Sequence, residues 1–104
     1  DSVHFNLFID LTGKGTLTAG DPAYITGLPF TSRNTTGNIT SCNFGYATGL
    51  TLAAAATVSG RILSNVNYIK LEKWTATSTT GSSDMLISDI GTSAVMVLSG
   101  HYKV

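Results

Sequence analysis

The chain has 104 residues, a length that suits one domain and leaves little room for a second core. Six basic and six acidic residues cancel to a formal net charge of zero and lie scattered, which excludes the basic stripe that nucleic acid requires. Thr, Ser and Gly together exceed a third of the residues, so the composition is rich in strands and turns, with a surface of hydroxyls, amides and glycine backbone suited to sugars and protein contacts.

In chain order, residues 3–11 alternate with period two. Val3, Phe5, Leu7, Ile9 and Leu11 share one face, and His4, Asn6 and Asp10 share the other, which predicts a half-buried strand. Thr12-Gly13-Lys14-Gly15 then offers two glycines able to take positive φ, and Thr16-Leu17-Thr18 resumes an extended pattern. The expectation is a hairpin. A second turn at Ala19-Gly20-Asp21-Pro22 leads to a strand over 23–26. Pro29 lacks a backbone donor and favours an extended Leu28, so this strand ends by Phe30. Residues 31–37 read as a polar loop that carries Arg33 and Asn34 to the surface.

Further strands are predicted over 39–46, 66–74 and 94–98, separated by segments rich in Gly, Ser, Thr and Asn. The lone Cys42 excludes an intrachain disulfide; its place on one face with Thr40, Phe44 and Tyr46 makes it a small buried hydrophobe. Residues 50–58 contain four consecutive alanines, which favour helix, but Leu50, Leu52, Ala54, Ala56 and Val58 keep period two between Gly49 and Gly60. A strand is the better reading. Residues 75–83 form a polar loop or hairpin tip. The sum is a single all-β domain, an antiparallel β-sandwich or jelly roll. The chain opens on Asp1 rather than Met and is read as a fragment of a longer chain. No apolar stretch nears the roughly 20 residues that cross a bilayer, so membrane insertion is not expected.

Catalytic groupings are lacking. Neither Val58-Ser59-Gly60 nor Leu98-Ser99-Gly100 has the spacing of a nucleophile elbow. His4 and His101 sit near opposite ends of the chain and read as surface or structural histidines. Glu72 is the only glutamate, the aspartates are dispersed, and Asp84 and Asp89 lack the acid density of a calcium loop. Thr12-Gly13-Lys14-Gly15-Thr16 lacks the upstream glycine of a phosphate loop. No enzymatic activity, cofactor or metal is expected.

One segment does suggest recognition. Along 68–74, Tyr68, Lys70, Glu72 and Trp74 share a face opposite Ile69 and Leu71, and an aromatic beside hydrogen-bonding groups is a common sugar platform. The competing reading puts Trp74 over the core edge or a subunit interface. Tyr68, Trp74, Arg33 and Asn34 are the candidate ligand-binding residues.

Three features in this order resemble a family of bacteriophage tail-fibre and tailspike C-terminal domains: the glycine-rich Thr12-Gly13-Lys14-Gly15-Thr16 turn, the Gly27-Leu28-Pro29-Phe30 corner, and the closing Ser99-Gly100-His101-Tyr102. Leu86-Ile87-Ser88-Asp89-Ile90 is similar to that family's connection ahead of its last strand. His101 before the terminal tyrosine and the alanine run depart from the pattern. The resemblance implies a jelly-roll-like homotrimer at the distal end of a virion fibre, which contacts a host cell-surface polysaccharide or other receptor. It also implies that a depolymerase domain can stand upstream in the parent chain. The alternative function is a carbohydrate-binding module of a secreted bacterial enzyme or adhesin.

Overall fold

A computed structural model describes residues 1–104. Seven strands occur in chain order: β1 (Ser2–Asp10), β2 (Tyr24–Thr26), β3 (Thr40–Leu50), β4 (Thr57–Ile62), β5 (Tyr68–Trp74), β6 (Ser83–Asp84) and β7 (Ile90–Lys103). The only helical element is a single 3₁₀ turn, Ile87–Asp89, so no helix is long and apolar enough to cross a membrane. All pairings are antiparallel and run β1-β7-β3-β4-β5-β2, with β6 on β5. Where a sandwich divides its strands between two facing sheets, every strand here belongs to one sheet, which curls into a half-barrel.

Two irregularities between β3 and β7 help bend that sheet. The register shifts between Phe44 and Tyr46 and again between Thr48 and Leu50, and bulges of this kind raise local twist. At the second shift the backbones nearly touch. Gly49 holds φ +76°, where a Cβ would lie 2.8 Å from Ala94 Cα, and a Cβ on Gly91 would lie 2.5 Å from the Gly49 carbonyl oxygen. Only glycine fits both positions.

The inner face carries the core. Ile62, Ile69, Leu71, Met85, Ala94, Met96, Leu98 and Tyr102 are buried, while Val3, Phe5, Leu7 and Ile9 of β1 pack against them half-buried. The register lines up Phe5, Gly100, Cys42, Gly60 and Leu71 as one inner row across five strands. Cys42 is buried as expected, and burial pushes its thiol up to about 11. Tyr46 does not share its face. The bulge at Gly45 turns Tyr46 outward, where it is exposed.

Several expected elements take a different form. No hairpin follows β1: residues 11–22 form turns in which Leu17 N–H donates to the Lys14 carbonyl and Asp21 N–H to that of Thr18. Three residues of extended pattern cannot compete with β7, which gives β1 nine paired positions. The expected strand over 50–58 is cut. β3 ends at Leu50, Ala56 N–H donates to the Ala53 carbonyl, and Ala55 at φ 64° helps reverse the chain before β4. Because β3 and β4 pair antiparallel, a turn must separate them. The last strand is longer than 94–98, since Ala94, Met96, Leu98, Gly100 and Tyr102 hold period two through the polar residues of its second half. The loop over 75–83 is present, and its end contributes β6.

The Gly27-Leu28-Pro29-Phe30 corner follows β2. Gly27 takes φ +94°, Leu28 is buried and donates its N–H to the Asn67 carbonyl, and Phe30 is exposed. The Tyr102 hydroxyl ties down the corner's end: it donates to the Phe30 carbonyl at 2.9 Å and accepts from Phe30 N–H at 3.3 Å.

Candidate functional site on the outer face of β5

Strand alternation sends Tyr68, Lys70, Glu72 and Trp74 of β5 to the outer face, with Ile69 and Leu71 buried beneath them. Pairing with β2 brings Tyr24 opposite Lys70 and next to Tyr68, and the two tyrosine rings meet with centroids 4.9 Å apart at 57°. Pairing with β4 and β6 brings Arg61 opposite Lys70 and Asp84 opposite Glu72.

These four charged side chains form two ion pairs. Lys70 Nζ lies 3.1 Å from Asp84 Oδ1, and Arg61 Nε lies 3.0 Å from Glu72 Oε1. The Arg61 N–H does not point along the short approach to Glu72, so that contact is ionic rather than a directed hydrogen bond. Glu72 is nevertheless buried, and its charge is tolerable only because the guanidinium sits beside it. Glu72 and Asp84 are the carboxylates that no sequence spacing joins, yet the sheet sets them directly opposite each other. Each is held as half of an ion pair.

The outer face of β5 therefore has aromatic rings at both ends and paired charges between them. Tyr24 and Tyr68 mark one end, and the half-exposed Trp74 marks the other. Six residue-to-residue steps of strand carry Tyr68 to Trp74, about 20 Å at the usual rise. These two candidates share a face but not a single subsite.

Arg33 and Asn34 lie elsewhere in the chain but near the Tyr68 end. Ser32, buried, anchors their loop: its hydroxyl donates to the Leu63 carbonyl and accepts from Val66 N–H, two residues before β5 begins. Arg33 is occupied by the backbone of Lys103 and Val104. Its N–H donates to the Lys103 carbonyl, and its guanidinium donates to the Val104 oxygen through two nitrogens at 3.3 Å each. Asn34 is exposed.

Sequence reasoning missed Tyr24, Arg61 and Asp84. Alternation does place Tyr24 opposite Ala23 and Ile25, but nothing local says that its strand joins β5. The two histidines, distant in sequence, become direct cross-strand neighbours with stacked rings 5.4 Å apart on the outer face. Comparison with protein-family models, curated proteins and solved structures finds no match for this chain.

Proposed function

We propose that this chain is a non-catalytic attachment domain of a bacteriophage tail fibre or tailspike, which trimerises and binds a host-surface polysaccharide. The observation that carries the reading is the mismatch between core and surface. Only 16 of 104 residues are buried, while Phe8, Phe30, Ile39 and Tyr46 are each more than half exposed. A small domain with so thin a core gains stability when copies cover such side chains, at roughly 0.8 kcal/mol for each buried CH₂. The jelly-roll form belongs to the same reading, in which copies pack through the outer face of the sheet that carries Phe8 and Tyr46. The ordered resemblance of the glycine turn, the Gly-Leu-Pro-Phe corner and the closing strand supplies the phage context.

The outer face of β5 supports polysaccharide recognition. Aromatic rings offer stacking faces for sugar rings, Lys70 and Asp84 offer hydrogen-bonding groups at the surface, and three copies would multiply a weak contact into useful avidity.

Sedimentation equilibrium at micromolar concentration tests assembly, with a trimer mass expected and a monomer overturning it. A host-polysaccharide array tests recognition, with Trp74→Ala and Tyr68→Ala each expected to weaken binding about fivefold or more. A monomer that still binds glycan through these residues would favour the second reading, a carbohydrate-binding module of a secreted enzyme or adhesin.

A further inference from the structure

A cavity of about 330 Å³ opens on the inner side of the half-barrel, near the end of β1, and ten residues line it, all of them apolar. Ile9, Ile25, Leu71, Ile87 and Met96 form much of its wall. Another lining residue, Leu17, is 63% exposed, so the cavity reaches the surface at that turn. Water inside would find almost no polar partner, so the space favours an apolar occupant. An apolar cavity of roughly 150 Å³ accommodates one benzene molecule, and about twice that volume suits a chain of about eight to ten carbons.

Charge at the wall selects the head group. Lys14 Nζ donates to the Ile87 carbonyl at 3.2 Å, and the Lys14 carbonyl accepts from Leu17 N–H, so this lysine is fixed against two of the lining residues. The molecule's three ion pairs use Arg61, Lys70 and Lys73. Lys14 has no carboxylate within ion-pair distance, and two of its three ammonium protons remain free for an anion. The exposed apolar side chains that copies would cover, Phe8 and Tyr46, lie on the outer face of the sheet, away from this opening.

We propose that this cavity binds the alkyl chain of a medium-chain carboxylate, with the Lys14 ammonium holding the carboxylate at its mouth. Calorimetric titration with octanoate, octan-1-ol and acetate tests it. Octanoate is expected to bind saturably, one per chain, octanol more weakly, and acetate not at all. Lys14→Met should weaken octanoate about fivefold and leave octanol unchanged. Raised salt should weaken octanoate alone. Ala23→Leu, which adds bulk from the buried cavity floor, should abolish both; Ile25→Phe, at a half-buried position, serves if the first variant fails to fold. The proposal is overturned if the folded protein gives no saturable heat with octanoate, if a folded filled-cavity variant binds it unchanged, or if Lys14→Met has no effect. It also falls if sedimentation shows copies associating through contacts that Leu17→Asp breaks and octanoate does not compete.

Discussion

Tyr102 places one hydroxyl where the backbone of Phe30 needs both a donor and an acceptor, and it does so from a wholly buried ring. Tyr102→Phe keeps the ring and deletes both bonds, so it is expected to destabilise by about 1–2 kcal/mol, read as a lower urea midpoint at unchanged slope. Glycine 91 is constrained by space alone. A methyl group there would sit 2.5 Å from the Gly49 oxygen, so Gly91→Ala should cost about 2 kcal/mol or more, whereas Gly13→Ala, with open space around it, should cost little. Cys42 is constrained by chemistry. With its thiol pushed up to about 11 by burial, the folded protein should resist alkylation at pH 8 and react fully once unfolded in urea. The folded state also holds that proton more tightly than the unfolded chain does. Stability should therefore be complete below pH 9 and fall as pH rises towards 11, a slope that Cys42→Ala removes.

At the scale of elements, β1 and β5 were legible, β7 only in its middle, and the connections were not. β1 announces itself because Val3, Phe5, Leu7 and Ile9 recur at every second position, and β5 because Ile69 and Leu71 alternate with Tyr68, Lys70 and Glu72. The alternation in 50–58 is just as clear in the sequence, yet the chain turns there. Period two says that a segment can lie in a sheet, but which neighbours compete for its hydrogen bonds decides whether it does. The turn is held by a non-glycine residue, Ala55, in the left-handed region. Ala55→Gly should relieve that conformation and stabilise the protein by about 0.5–1 kcal/mol in thermal or urea unfolding. The bulge at Gly45 was equally hidden, and it moves Tyr46 from the expected inner face to the outer one.

For the whole molecule, the register gathers exposed apolar side chains on the outer face. Phe8 pairs across the sheet with Val97, and Val97 with Tyr46, so the register joins three apolar residues from three strands into one outer row. A single polar replacement there probes assembly without entering the core. For the proposed trimer, Phe8→Ser is expected to weaken assembly by about tenfold or more, in sedimentation velocity, with the circular dichroism spectrum unchanged.

By itself the sequence determined the class of the protein: hydroxyl- and glycine-rich composition with period-two alternation commits the chain to strands, and one cysteine with scattered charges removes disulfide and basic-patch architectures. It also placed Tyr68, Lys70, Glu72 and Trp74 on one face, because alternation is a local property of the backbone. Tertiary structure alone decided that β1 pairs with β7 across the length of the chain, that Tyr24 joins Tyr68, that Asp84 faces Glu72, and that Lys14 lies against Ile87. Each of these is a contact between residues far apart in sequence, formed when buried area and ladder hydrogen bonds choose one register among many, and no local pattern encodes that choice.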